Sequence, residues 1–271
     1  MVAGQASVCL ATMPYFTGRF ADTWPLTARF CHPSLLGRWA TTIARTQFLF
    51  VLLRYFSPLV AGRPLRPSEI LSFAQNHLKV SPNGVLDLTN PDVVSTLGRV
   101  LYKTPVTLWD TATDPLIPLA TGKVASFVTT FSFTMTDIET RQPADGFMFF
   151  LAPSTDFPSN AIGGSLGIVD NDKAYNEFVG VEFDPYENEW DPNYSHVGIE
   201  VSSLRSLKYT KWNRVSSLLV DVTITYDSQL KTLSVVLKDG NGQFSTVAQV
   251  VDFKYALPET VWIGFSSAWG E

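Results

Sequence analysis

Residues 219–226 alternate between apolar and polar side chains, and this pattern restricts that part of the chain to a half-buried β-strand. The apolar positions are Val220, Val222, Ile224 and Tyr226. A period of two residues places them on one face, while Asp221, Thr223 and Thr225 occupy the other. Such a strand is typical of an antiparallel sheet that packs on a core with one face only.

Other short runs from residue 85 onward also predict strands. Residues 124–135 place large apolar side chains on one face, namely Phe127, Phe131, Phe133 and Met135. Residues 146–151 are apolar on both faces, which predicts a strand in the interior of the structure. Residues 239–242 read Asp-Gly-Asn-Gly, a strong hairpin signal between two β-rich runs. The sequence therefore predicts an all-β antiparallel sandwich.

Charge divides the 271-residue chain into two parts. Residues 1–66 contain seven Arg, no Lys and one acid, Asp22, whereas residues 67–271 contain 13 basic and 24 acidic residues. An acidic main part lacks the basic footprint of a nucleic-acid-binding protein. We predict an N-terminal extension over 1–66 and one domain over 67–271.

The extension has no sustained periodicity. Its apolar run at 48–53 is too short for a membrane-spanning helix, which needs about 20 residues, and it lies too far along the chain for an ordinary signal peptide. A signal-like leader, an organelle transit peptide and an irregular extension all remain open. Both cysteines, Cys9 and Cys31, lie in this part, so the domain cannot depend on disulfides.

The segment 181–196 departs from the strand pattern because it collects polar groups. Glu182 and Asp184 are two residues apart on a strand and project from one face, and Pro185 then forces a loop. That loop and the next strand return Asn188, Asp191 and His196. Carboxylate and carbonyl oxygens suit calcium, and an added imidazole suits manganese. Because burying three carboxylates together without a cation costs several kcal/mol, we predict a metal site.

The pattern Glu-x-Asp-x-Tyr-x-Asn, followed by Asp-Pro and His-x-Gly-Ile, resembles the metal loop of the legume lectin family, the L-type plant lectins with a concanavalin A-like jelly roll. The resemblance extends over about residues 71–271. Residues 97–102, 105–110 and 122–127 are similar to the early strands of the family. Residues 143–153 and 162–167 resemble its first two sugar-binding loops, and residues 250–252 and 257–266 resemble the approach to the fourth.

The resemblance implies two bound cations. Manganese would be held by Glu182, Asp184, Asp191 and His196, with Ser206 reaching it through water. Calcium would be held by Asp184, Asn188, Asp191 and the carbonyl of Tyr186.

The resemblance also implies a carbohydrate site. Asp145, after a cis peptide bond to Ala144, would accept hydrogen bonds from two sugar hydroxyls. The Gly164 N–H and the Asn188 amide would donate to the same sugar, and the Tyr186 ring would stack on its apolar face. The implied function is reversible binding of glycans or glycoproteins without catalysis. The family further implies a secreted or vacuolar protein in plant defence, and leaves a homodimer and a tetramer both open.

Three features depart from the family pattern. The chain stops at Glu271 inside the fourth sugar loop, so we expect an incomplete sandwich that lacks its last strand, and the sugar preference cannot be read. Residues 71–81 resemble a shortened first strand region, and residues 114–120 resemble an insertion in a surface turn.

Two other functions compete with sugar binding. Glu182 and Glu187 fit the Glu-x-Asp-x-x-Glu pattern of jelly-roll glycoside hydrolases, which use carboxylates about 5 Å apart. A lectin-like defence or storage protein that has lost sugar binding is the other alternative.

Overall fold

The structure is a computed structural model, and it describes residues 5–9, 52–53, 70–75, 79–80, 85–90, 92–93, 95–109, 124–137, 143–159, 161–170, 173–174 and 176–269. Most of the predicted extension, the predicted insertion at 114–120 and the chain end at Glu271 lie outside these residues.

Nearly all regular structure in the described residues is β-strand. The strands are β1 (Gln5–Cys9), β2 (Leu52–Leu53), β3 (Ile70–Gln75), β4 (Lys79–Val80), β5 (Leu86–Asp87), β6 (Thr96–Tyr102), β7 (Val106–Thr107), β8 (Phe127–Thr136), β9 (Gly146–Ala152), β10 (Val169–Asp170), β11 (Lys173–Ala174), β12 (Val179–Asp184), β13 (His196–Val201), β14 (Lys208–Lys211), β15 (Val220–Asp227), β16 (Thr232–Asp239), β17 (Phe244–Val250) and β18 (Thr260–Trp269). A 3-10 helix spans Gly163–Ser165 and a one-turn α-helix, α1, spans Phe253–Ala256. Neither is long and apolar enough to cross a bilayer, and no other helix of the described chain is.

Two large sheets make up the sandwich. Sheet I has the strand order β17-β16-β15-β8-β1-β5-β4, with β2 also pairing to β8. Sheet II has the order β14-β13-β12-β9-β18-β6-β3, with β7 also pairing to β18. Every one of these pairings is antiparallel. This arrangement confirms the predicted antiparallel sandwich.

The burial pattern along individual strands agrees with the sequence prediction. Along β15 buried residues alternate with exposed or half-buried ones, and every residue of β9 is buried. The predicted hairpin joins β16 to β17, and the Asp239 carboxylate accepts hydrogen bonds there from the backbone of Asn241 and Gln243. Gly242 adopts a φ of 80° in this turn, a conformation that favours glycine.

Aromatic side chains fill the space between the sheets. Phe131 and Phe133 of β8 meet Phe147 of β9 and Phe183 of β12, with the rings of Phe133 and Phe147 4.6 Å apart in an edge-on arrangement. The rings of Phe147 and Phe183 stack at 4.8 Å. Edge-on and stacked pairs add to the free energy gained from burying these rings. This core packs against the inner face of sheet II. The opposite face of β12 carries polar side chains.

Two short pieces of the segment 1–66 belong to sheet I. Strand β1 lies between β8 and β5, and β2 pairs with β8 at Leu52 and Leu53. The backbone of β1 therefore has strand partners on both sides at Ser7 and Val8, a role that the composition of this segment does not predict.

Candidate functional site

The acid-rich segment forms two neighbouring strands, β12 and β13, of sheet II. In their register Asp184 lies opposite His196, and Glu182 lies opposite Gly198. Because side chains alternate along a strand, these polar side chains share the face of the sheet that points away from the aromatic core.

Four of the predicted metal ligands meet on this outer face. One ligand atom from each of Glu182, Asp184 and His196 lies within 4.8 Å of the others, and all three residues are buried. The Nε2 atom of His196 lies 4.0 Å from Oε2 of Glu182 and 3.9 Å from Oδ1 of Asp191. The structure therefore brings together acids and an imidazole from both strands and from the loop between them.

The loop at 185–195 is closed by bonds between its backbone and these acids. The Tyr186 N–H donates to Oδ1 of Asp184 at 2.6 Å, and the Asn188 N–H donates to Oδ2 of Asp191 at 3.0 Å. The Asp191 N–H donates in turn to the Asn188 carbonyl at 3.1 Å. These bonds keep Asn188 and Asp191 beside the strand residues, as the predicted ligand set requires.

Burial shifts the protonation equilibria of this cluster. Burial, reinforced by the neighbouring acids, raises the pKa of Glu182 and of Asp184 well above their usual range, and burial raises the pKa of Asp191 to about 6. Burial lowers the pKa of His196 to about 4. The imidazole is therefore neutral at pH 7 and offers a lone pair, while neighbouring acids raise the pKa of Glu182 and of Asp184 and no described cation lowers it.

The cluster also contains buried polar atoms that no described residue satisfies. Both ring nitrogens of His196 and Oε2 of Glu182 have no hydrogen-bond partner among the described residues. Buried polar groups are normally paired, so these atoms point to a missing positive partner. Carboxylate oxygens with one imidazole form a donor set that fits a divalent cation. The residues present are therefore compatible with a metal site.

The predicted sugar-binding residues lie beside this cluster. Asp145 is buried immediately before β9, its N–H donates to the Ala268 carbonyl at 3.4 Å, and its peptide bond to Ala144 is cis. Its negative charge is close enough to Asp184 to raise the pKa of that acid further, after the larger effects of burial and Asp191.

The 3-10 helix brings a second loop against Asp145 and the metal loop. A Cβ atom added to Gly163 would lie 3.9 Å from both carboxylate oxygens of Asp145. A Cβ atom added to Gly164 would lie only 2.7 Å from Nδ2 of Asn188. Asp145, Gly164 and Asn188, predicted from three separate segments, thus converge, and Tyr186 is two residues from Asn188 in the same loop.

Glu200 belongs to this site but was not among the predicted residues. It is fully buried on β13, and the Ser206 hydroxyl donates to its Oε1 atom at 2.5 Å. Burial is the main reason that its pKa rises to about 8. The spacing His196-x-Gly198-x-Glu200 could have identified it, because a period of two places all three residues on one face.

The carboxylate pair required by the hydrolase alternative is not formed on one strand. Strand β12 ends at Asp184, so Glu182 is buried on the strand whereas Glu187 is exposed in the loop that follows. Glu187 therefore does not share the strand face of Glu182, as the intervening Pro185 predicts.

Residues 65–271 match the sequence profile of the legume lectin domain. Among similar proteins, a galactose-binding lectin of Arachis hypogaea is 49% identical over 198 residues, which cover 72% of this chain and 69% of that protein. An anti-H(O) lectin of Lotus tetragonolobus is 49% identical over 188 residues, which cover 68% of this chain and 75% of that protein.

Solved structures resemble the chain over a similar extent. A structure of peanut lectin with a nine-residue peptide has a TM-score of 0.69 and 43% sequence identity, and the match covers 83% of this chain and 91% of that one. A seed lectin of Lotus tetragonolobus has a TM-score of 0.68 and 41% identity, covering 81% of this chain and 90% of that one.

Proposed function

This chain belongs to the legume lectin family, and we propose that it binds a mono- or oligosaccharide reversibly, with the help of calcium and manganese and without cleaving the sugar. The observation that supports this proposal is the convergence of Asp145, Gly164 and Asn188 next to the buried cluster of Glu182, Asp184 and His196. Asn188, which would donate to the sugar, and Asp191, which would bind the cations, thus lie in one loop and are joined by a hydrogen bond.

We propose that the two cations divide the donors of the cluster by their chemistry. Manganese would take the imidazole of His196 together with the carboxylates of Glu182, Asp184 and Asp191. Calcium would take oxygen donors only, from Asp184, Asp191, the Asn188 side chain and the Tyr186 carbonyl. The cations supply positive charge that stabilises the ionised acids and holds the loop in one conformation.

Each proposed sugar contact follows from the donor or acceptor character of the side chain. The Asp145 carboxylate can only accept hydrogen bonds when ionised, so it suits two sugar hydroxyls. The Gly164 N–H and the Asn188 amide supply donors, and the Tyr186 ring supplies an apolar surface for the carbon face of the sugar. Glycine is needed at position 164 because a side chain there would displace Asn188.

The proposal is tested with the purified full chain on a glycan array that carries galactose-, mannose- and glucose-terminated sugars. These terminal sugars are chosen because the related lectins include a galactose-binding and a mannose/glucose-specific protein. We expect binding with calcium and manganese, loss of binding with EDTA, and recovery when both cations are restored. Calorimetry with the best sugar on the array then gives the affinity.

A pair of matched variants assigns the binding to the site. Asp145→Ala removes the proposed acceptor, whereas Asp221→Ala removes an exposed aspartate on the other sheet. We expect Asp145→Ala to abolish binding with little change in the fold, and Asp221→Ala to bind normally. A folded, cation-loaded protein that binds no sugar on the array would instead support the lectin-like protein without sugar affinity.

A further inference from the structure

A second apolar cluster lies on the outer face of sheet II, apart from the aromatic core between the sheets. It includes Leu97 of β6 and Phe150 of β9. The loop between β9 and β10, here called the covering loop and described at residues 153–159 and 161–168, packs on this cluster. Three of its apolar side chains are buried there, namely Phe157, Leu166 and Ile168. Because the covering loop also carries Gly164 of the proposed sugar site, its attachment to the sheet decides where that residue lies.

A charged side chain, that of Arg99, lies among these apolar groups. Arg99 is two residues from both Leu97 and Leu101 on β6, so it shares their face, and it is only 6% exposed. Burial lowers the pKa of Arg99 to about 10, and no acid among the described residues offsets this effect. The guanidinium is therefore still charged at pH 7. Since a buried charge without an acid is costly, its remaining contacts have to stabilise it.

These contacts join Arg99 to two distant points of the covering loop. Its Nη2 atom donates to the Pro158 carbonyl at 3.4 Å, and its Cζ atom lies 4.5 Å from the centroid of the Phe157 ring, a cation–π contact. Near the end of the loop, a Cβ atom added to Gly167 would lie 3.4 Å from Nε of Arg99. Nε has no hydrogen-bond partner in the described chain, so this second contact is one of packing. One cation from β6 thus bridges the loop from residue 157 to residue 167.

The end of the covering loop packs tightly on sheet II. Gly167 has a φ of 75°, and a Cβ atom added to it would collide with Oγ of Ser266, which lies opposite Arg99 in the register of β18 and β6. The Gly167 N–H donates to the Ala161 carbonyl at 2.7 Å, and this bond closes the turn around the 3-10 helix at Gly163–Ser165. The position of the 3-10 helix is therefore set by the place where the loop meets the sheet.

The 3-10 helix is also the part of the covering loop that meets the proposed sugar site. A Cβ atom on Gly163 would lie 3.9 Å from the carboxylate oxygens of Asp145, and one on Gly164 would lie 2.7 Å from Nδ2 of Asn188. We propose that Arg99 is a positioning residue for sugar binding, which holds the covering loop to β6 and thereby places the Gly164 N–H beside Asn188 and Asp145. This inference rests on the proposed function, because the sugar is the ligand of that N–H.

The test measures sugar binding to the full chain by calorimetry with both cations present, using the methyl galactoside, mannoside or glucoside that ranks first on the glycan array. Arg99→Met keeps an apolar stem but removes the charge and the donors, whereas Arg99→Lys keeps a positive charge near the Phe157 ring. We expect Arg99→Met to weaken sugar binding about tenfold and Arg99→Lys to recover part of the loss. The control Lys238→Met removes an exposed cation of sheet I and should bind sugar as the wild type does.

Three further readouts separate positioning from a general structural role. Arg99→Met should melt no lower than the wild type and higher than Arg99→Lys, because it removes a buried charge that has no acid, whereas Arg99→Lys buries an ammonium group. Mn²⁺ and Ca²⁺ affinities should be unchanged in Arg99→Met, since the covering loop holds none of the proposed cation ligands. Arg99→Met combined with Gly164→Ala should weaken sugar binding by less than the product of the two single effects, because both changes act on the same N–H.

The inference and the proposed function fail in different ways. If Arg99→Met binds the sugar as the wild type does, Arg99 does not position the covering loop and the inference is overturned. Joint loss of sugar binding, cation binding and thermal stability in Arg99→Met would also overturn it, because that pattern indicates a general structural role. A sugar affinity of Arg99→Lys no higher than that of Arg99→Met would overturn it as well. A folded, cation-loaded wild type that binds no sugar would instead overturn the proposed function.

Discussion

The two faces of strands β12 and β13 are equally buried but differ in chemistry. The inner face carries Val181, Phe183, Val197 and Ile199, and the outer face carries Glu182, Asp184, His196 and Glu200, and all eight residues are at most 2% exposed. The inner face packs into the hydrophobic core, where the Phe147 ring stacks on Phe183. The outer face keeps polar atoms that no described residue satisfies.

Burial alone therefore does not stabilise a sheet face. The inner face is stable without a bound ion, because its stability comes from van der Waals contacts and from the removal of apolar surface from water. Under the proposed function, a cation stabilises the outer face, because buried acids without a positive partner cost free energy. The stability of one face should therefore be independent of metal, and that of the other should depend on it.

The largest effect is expected from a cavity on the inner face. Phe183→Ala should lower the free energy of unfolding by about 3–5 kcal/mol, because Phe183 is fully buried among other rings. Urea denaturation should give the same loss with saturating cations and with EDTA. The exposed Phe244 supplies the control, since Phe244→Ala should change stability by less than about 0.5 kcal/mol. A loss that depended on metal would contradict the independence of the inner face.

Removing one cation should affect the outer face by a slightly smaller amount. With that cation at 100 times its Kd, its removal should lower the apparent stability of the folded state by about 2.7 kcal/mol. Thermal melts of the wild type measure this change when Mn²⁺ is withheld and Ca²⁺ is kept, and added Mn²⁺ should reverse it. Asp184→Asn, which removes an acid of the cluster, should respond much less to EDTA. An unchanged wild-type melt would show that the outer face is stable without a cation.

Individual strands could be predicted from the sequence, whereas their partners in the sheets could not. The alternation that defines β15 and the all-apolar composition of β9 are local properties, and the structure has both strands as expected. The partner of each strand is a non-local property. The position of β1 between β8 and β5 depends on the edges of two strands that are distant in sequence, and the composition of residues 5–9 contains no signal for that.

The site residues also differ in whether the sequence alone could identify them. Glu182 and Asp184 could be paired from their spacing on one strand, and Asp191 and His196 from the chemistry of the segment. Asp145 and Gly164 came from the resemblance to a family, because they lie far from the metal loop in sequence. Glu200 was missed although its spacing from His196 places it on the same face, since spacing does not reveal that its carboxyl group turns back over Gly198.

A smaller effect is expected at the rim of the outer face, where Gly164 lies against Asn188. Gly164→Ala should weaken sugar binding about tenfold, or about 1.4 kcal/mol, because the added Cβ would lie 2.7 Å from the Asn188 amide and displace it. The melting temperature should change little, since the displaced atom ends a flexible side chain. Gly240→Ala in the hairpin turn is the control and should leave sugar binding unchanged. If calorimetry gives Gly164→Ala the same sugar affinity as the wild type, Asn188 does not belong to the sugar site.

The smallest effect is expected at Glu187, five residues beyond Glu182 in the same segment. Both residues are glutamates, but Glu182 is buried in the acid cluster and Glu187 is exposed in the loop. If burial beside other acids creates the need for a cation, Glu182→Gln should lose most of the metal-dependent rise in melting temperature. Glu187→Gln should keep it and change stability by less than about 0.5 kcal/mol.

The same two variants address catalysis, because a glycoside hydrolase would need both carboxyl groups. Release of reducing sugar from a β-glucan by the wild type, lost in both variants, would contradict the binding function and give Glu187 a role that its exposed position does not predict.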